Sequence, residues 1–197
     1  RTEVTQRQWR DVMETEPWKG MAGVRTGDDL PAMFINWGEA HEFCRRLTIR
    51  EGVTYRLPTE AEWEWACRAG SATRFAFGND DSLLNQHGWW GGVFGDGNSK
   101  QEHFAHAVAG KSENAFGLFD MHGNVAEWCE DEPTDQPRGG IDPLGTANEH
   151  GRRAIRGGSW LSSAAYCRSA FRMDLTSDTR SFFLGFRPVS SRPPRSH

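Results

Sequence analysis

The sequence predicts an α+β domain in which much of the backbone is irregular. Three observations point that way. Nine Trp and 22 Gly stand against two Tyr, a balance that suits loops pinned by large aromatic anchors. Three segments open with a capping residue, a Gln or Glu three positions on, and apolar residues at helical spacing. Residues 71–153 interleave Gly, Asn, Asp and aromatics without a sustained period, a stretch much longer than an ordinary connection.

Thr5 with Gln8 opens the first helix, and Trp9, Val12 and Met13 supply its buried stripe. Asn36 with Glu39 opens the second. Its apolar face is Trp37, Ala40, Phe43 and Leu47, and Gly52 ends it. Thr59 with Glu62 opens the third, "TEAEWEWACRAG", closed by Gly70, with Trp65 and Ala69 four apart on one face. Short strands are expected at 53–57, 154–156 and 184–189. The last eight residues, "SSRPPRSH", read as a disordered basic tail. The expected division is therefore a domain over 1–189 and a tail over 190–197.

A chain of 197 residues, 37% hydrophobic and 25% charged, suits a single globular domain with a core of its own. A net charge of −4 is too near neutral to suggest a nucleic-acid or anionic-membrane partner. No apolar run reaches the length of a membrane span. The expected partner is a protein or a small ligand, met by a monomer. The four cysteines, Cys44, Cys67, Cys129 and Cys167, show no CxxC spacing, which argues against a zinc ribbon or a thioredoxin-type motif. At least two should be buried, unreactive thiols.

Seven strings occur in a fixed order: "TEVTQRQW", "INWGEAHEFCRRL", "YRLPTEAEWEWACRAG", "NAFGLFDMHGNVAEW", "IRGGSW", "CRSAFR" and "LGFRPV". Together they resemble the formylglycine-generating enzyme family, or sulfatase-modifying factor domains, over residues 2 to about 189. The resemblance implies a loop-rich variant of the C-type-lectin-like fold. It also implies an activity: oxidation of a sulfatase cysteine to formylglycine by O2, with Cu(I) held between two thiolates. Cu(I) is soft, and two opposed sulfurs leave room for the substrate thiol.

The family's two cysteines lie five residues apart, downstream of GGS. Here that spacing puts the second at Cys167 and the first at Ser162. A hydroxyl is hard and keeps its proton at neutral pH, so it does not replace a Cu(I) thiolate. The oxygen pocket of the family takes a Ser from GGS, here Ser159, and a Trp whose position holds Ala126. Cys167 therefore has two readings. It is a small apolar core residue, or it is a catalytic thiol acting with Ser159 and a second sulfur such as Cys129. The resemblance also implies one structural Ca²⁺ at "DMHGNVAE". Asp120 would offer its side chain, Gly123 and Val125 their carbonyls, and Glu127 its carboxylate, all hard oxygens.

His103 and His106 could chelate a metal with Glu102 on a helical turn, but a solvated loop is the stronger reading. "GWWGGVFGDG", residues 88–97, lacks the Lys and the strand-to-helix context of a phosphate loop, so Trp89 and Trp90 read as anchors. The same fold carries the hypervariable proteins of diversity-generating retroelements, whose variable positions derive from AAC codons. Leu161, Ser162, Phe171, Leu175, Thr176, Thr179, Ser181, Phe182 and Phe183 can all arise from AAC by changes at its adenines, whereas Met173 cannot.

Three functions stay open at this point. The first is a non-catalytic scaffold that binds through Leu161, Ser162, Tyr166, Phe171, Leu175, Thr179, Phe182 and Phe183. The second is a Cys167-dependent oxidase with Cu(I). The third is a retroelement variable protein.

Overall fold

The computed structural model of the chain describes residues 1–91, 103–133 and 151–191. Three helices come first: α1 (Gln6–Met13), α2 (Trp37–Glu51) and α3 (Glu60–Arg68). All three begin in reciprocal capping boxes. Thr5 Oγ1 accepts the Gln8 N–H at 3.2 Å and Gln8 Oε1 accepts the Thr5 N–H at 2.9 Å. Asn36 with Glu39 and Thr59 with Glu62 repeat the pattern at 2.8–3.1 Å. Each box satisfies two otherwise orphaned N–H groups.

The strand β1 (Tyr55–Arg56) lies between α2 and α3, and α4 (Leu84–His87) follows a 3₁₀ turn at Asp81–Leu83. The remaining strands are β2 (Ala126–Trp128), β3 (Arg152–Arg156), β4 (Met173–Thr176), β5 (Leu184–Gly185) and β6 (Val189–Ser190). Four of them form a sheet in the order β4-β3-β2-β5, antiparallel except for the β2–β5 pair. The other sheet pairs β1 with β6.

Three departures from the sequence reading have local causes. Ser190 pairs with Tyr55 in β6, so the first residue assigned to the tail belongs to a sheet. Residues 192–197 lie outside the described residues. The long irregular stretch contains α4 and β2, and β4 was not foreseen; two- to four-residue strands carry almost no periodicity. The face that α3 buries is Trp63 and Cys67, while Trp65 is 68% exposed.

The main core packs Trp9, Phe43 and Phe186 together. Trp9 stacks on Phe43 at 5.6 Å between ring centroids, and Phe186 meets both edge-on at 6.0 and 5.3 Å. Such pairs add about 1 kcal/mol each beyond the area they bury. Trp128 joins this core and donates its indole N–H to Ile35 O at 3.0 Å. On the opposite side, α3 is tied to β3 by charge. The fully buried Arg156 guanidinium binds Glu60 and Glu64, and Arg172 forks onto Glu60 at 2.6 Å.

Candidate functional site

Ala126 and Trp128 stand two apart on β2 and so share one face of the sheet. Trp128 pairs with Ile155, and Ile155 pairs with Met173 across β3 and β4. Trp128 fills its end of this row. Ala126 offers only a methyl group, and beside it lies a pocket of about 290 Å³. Ala126, Ile155, Met173 and Phe183 line it from the sheet and β5's approach. Gly158, Ser159, Leu161, Ser162, Tyr166 and Phe171 line it from the loops, together with Arg156.

The structure thus gathers Ser159, Leu161, Ser162, Tyr166, Phe171 and Phe183 from the residues the sequence singled out. It does not gather Leu175, Thr179 or Phe182. Leu175 packs on the main core, and Thr179 Oγ1 meets Thr176 Oγ1 at 2.9 Å in the turn after β4. Phe182 packs against Trp160 and Phe183. Ile155 and Met173 were missed. Only the cross-strand register, invisible in the sequence, sets them on the row of Trp128, next to Ala126 at the pocket.

The turn at 157–162 fixes both serines. Gly157 and Gly158 have φ of 93° and 70°, a region open to glycine at little cost. Ser162 Oγ accepts the Ser159 N–H at 2.9 Å and lies 3.4 Å from Ser159 Oγ. Ser159 Oγ accepts the Leu161 N–H at 3.3 Å. Each hydroxyl oxygen therefore already has a backbone donor.

Cys167 does not line this pocket. Its side chain is fully buried with Phe75, Leu84, Trp90 and Ala164. A Cβ on Gly158 would come within 2.8 Å of its sulfur. Burial pushes its thiol far above the usual range, and the neighbouring Cys67 pushes it further. Cys129 packs instead with Trp63, Cys67, Met121 and Ala154. The sulfur brought near Cys167 is thus that of Cys67, which the sequence reading overlooked, and not that of Cys129. Cys67 is itself raised to about 12 by burial. Among the described residues no three His, Cys, Asp or Glu side chains are arranged to hold a metal ion. At the pair five residues apart, the Ser162 hydroxyl in place of a thiol does not fit Cu(I).

Between Cys67 and Cys167 stands His122, 3% exposed. Its Nδ1 lies 2.9 Å from Cys167 O, and its Nε2 accepts the Ala76 N–H at 3.1 Å. A carbonyl only accepts, so Nδ1 carries the proton and the ring is neutral. Burial lowers its pKa to about 4.

The expected calcium ligands fall in a different place. Glu127 is fully buried, and Arg187 forks onto its carboxylate at 2.6 and 2.7 Å. The Trp63 indole N–H adds a third bond at 2.7 Å. Asp120 Oδ2 accepts the Ala109 N–H at 2.7 Å, and the Asp120 carboxyl also shares a side-chain hydrogen bond with the buried Glu3. Burial raises the pKa of both acids. Gly123 packs against the Trp89 backbone, and Val125 is buried beside Met33 and Trp160. Asp120 Oδ1 suits a hard cation, but Glu127 is already neutralised by a guanidinium.

The remaining candidates are structural. His106 stacks on Trp89 at 3.7 Å, and Lys111 lies over the same ring. Trp90 donates to Asn85 Oδ1 at 3.1 Å. Neither Trp89 nor Trp90 lines the pocket. His103 lies in irregular backbone beside Phe104. Glu102 and residues 92–97 of the Gly-rich string lie outside the described residues.

Short strands, capped helices and long ordered loops around one mixed sheet define a C-type-lectin-like domain. The chain matches the Sulfatase-modifying factor enzyme 1-like domain over residues 1–192 and belongs to that family. It is 36% identical over 189 residues to a formylglycine-generating enzyme of Streptomyces coelicolor, covering 86% of this chain and 57% of that protein. It is 33% identical over 179 residues to the mouse protein named Inactive C-alpha-formylglycine-generating enzyme 2, covering 86% and 52%. The chain spans about half the length of the curated relatives it matches. Among solved structures, Treponema denticola variable protein 1 superposes with a TM-score of 0.83 at 30% identity, covering 97% of this chain and 82% of that one. Among the described residues no helix is long and apolar enough to cross a membrane.

Proposed function

We propose that this domain is a non-catalytic member of the family that binds a ligand or a protein partner at the pocket beside Ala126. One observation carries the reading. The residue five before Cys167 is Ser162, whose oxygen is held by the Ser159 N–H at 2.9 Å, so a hydroxyl stands where copper chemistry needs a thiolate. The buried, protonated Cys167 and the methyl of Ala126 agree with it. That a matched relative is named inactive gives the reading a precedent.

The test is mass spectrometry of a sulfatase-type cysteine peptide after incubation with Cu(I) and O2. Wild type, Cys167→Ala and Ser162→Cys are compared. The expected result is no formylglycine from wild type. Conversion by wild type that is lost in Cys167→Ala overturns the reading in favour of the oxidase. The likeness to a variable protein favours a second reading, in which the nine positions from Leu161 to Phe183 that can arise from AAC diversify, four of them (Leu161, Ser162, Phe171 and Phe183) at the pocket. A near-duplicate DNA template and a neighbouring reverse-transcriptase gene are its signature, and their absence from the source genome removes it.

A further inference from the structure

The pocket wall is almost wholly apolar, and its polar groups can be counted. Ser159 and Ser162 bring two hydroxyl protons, and Tyr166 brings a third on its phenol. Their oxygens lie 3.4 Å apart, so one proton serves the bond between them. Each oxygen also receives a backbone N–H. One of the two serine protons is left with no acceptor among the described residues. Ser159 is 3% exposed, and Ser162 is the more open of the two, which places the spare donor on Ser162. Among the described residues no charged side chain other than Arg156 borders the pocket; Glu60 and Glu64 balance its charge and Ser169 O takes a further N–H, while its buried Nε has no partner.

The remaining walls are flat or flexible. Phe171 and Tyr166 meet edge-on at 4.8 Å between centroids. Met173, 41% exposed, stands at the mouth and can adapt to what enters. A volume of about 290 Å³ holds on the order of ten waters, which is the size of one ring system rather than of a cofactor.

We infer that the pocket takes a single uncharged aromatic group bearing one hydrogen-bond acceptor, seated against Ala126 and held by the Ser162 hydroxyl. The inference rests on the binding reading above. The shared chemistry has two sources, a free small molecule or an aromatic side chain of a partner.

The experiment is ¹⁵N–¹H NMR titration of the whole protein with acetophenone, ethylbenzene and benzoate. Acetophenone should move the amide signals of Gly158, Ser162 and Met173. Ser162→Ala should weaken acetophenone about fivefold, the loss of one hydrogen bond, and leave ethylbenzene unchanged. Benzoate should bind at least tenfold more weakly than acetophenone, because its charge would be desolvated against apolar walls. Ala126→Trp should abolish binding by filling the space. Met173→Glu, at an exposed position safe for folding, should weaken both neutral probes if the Trp variant fails to fold.

Unmoved signals in folded wild type overturn the inference. So does benzoate binding more tightly than acetophenone, or unchanged binding in Met173→Glu. The capped peptide acetyl-Ala-Tyr-Ala-amide separates the sources: tighter binding than acetophenone assigns a partner's side chain, weaker binding a small molecule. The peptide-oxidation assay keeps the two readings apart. No conversion with no probe binding leaves the non-catalytic reading standing and removes this one. Conversion by wild type removes the reading beneath it.

Discussion

Ser162 and His122 show how single residues set the chemistry of this domain. Sulfur at position 162 would face Ser159 across a tight turn, whereas oxygen there closes that turn through the Ser159 N–H. All four thiols are free and buried. Native protein at pH 8 should therefore react with a thiol reagent far more slowly than the same protein in guanidinium, where four equivalents should react at once. A fast equivalent in native protein that vanishes in Cys167→Ala would falsify the assignment of Cys167 to structure. His122 makes a separate prediction. Its pKa falls from 6.5 to about 4 on folding, so the unfolded chain binds the extra proton between those values. The contribution is fully present above pH 6.5 and lost as pH falls toward 4, by roughly 3 kcal/mol at most. Glu3 and Asp120 act in the opposite sense. Their raised values add stability below about pH 4 that is lost as pH rises through their folded values. Urea midpoints from pH 4 to 7 should thus show a shallower pH dependence in His122→Gln than in wild type, taken as the difference between the two curves.

At the scale of elements, the caps and one backbone crossing do most of the positioning. The Thr59–Glu62 box starts α3, which carries Trp63 to Glu127 and Glu60 to Arg156. Thr59→Ala should cost about 1 kcal/mol in urea unfolding. Near the site, residues 88–89 cross 122–123 at backbone contact, and Asn124 N–H bonds to Trp89 O at 2.8 Å. A Cβ on Gly88 would overlap His122 O, and one on Gly123 would overlap Trp89 O. Gly123 also has φ of 139°. Gly123→Ala should be the harsher of two conservative changes, costing more than Thr59→Ala, because neither backbone can yield without breaking the crossing. Equal urea midpoints for the two variants would contradict this. These elements also show what was legible in advance. Three helices were readable because a capping box is a local signal, complete within four residues. β2 and β4 were not, since a strand of three or four residues is defined by its neighbours.

Across the whole molecule, residues far apart in sequence (Arg1, Phe119, Glu127 and Arg187) meet at a buried charge cluster. Arg187 joins Glu127 and also donates to Arg1 O at 3.2 Å and Phe119 O at 2.9 Å. Glu127→Ala should therefore destabilise the fold by about 3–5 kcal/mol, because it strands a buried guanidinium, and the double variant with Arg187→Met should recover part of that loss. What the sequence determined by itself was the set of short-range devices: three caps, the Gly-Gly turn before Ser159, the order of the family strings, and the Ser at 162. Each is written within a few residues. Tertiary structure alone decided where those pieces meet. It put Ile155 and Met173 in the row of Trp128 and so on the pocket with Ala126, brought Cys67 rather than Cys129 near Cys167, and gave Glu127 to Arg187 across 60 residues. Side-chain chemistry is local, but burial and partnership depend on long-range packing, and these fix whether a thiol ionises, a carboxylate is free, or a small residue leaves room for a guest.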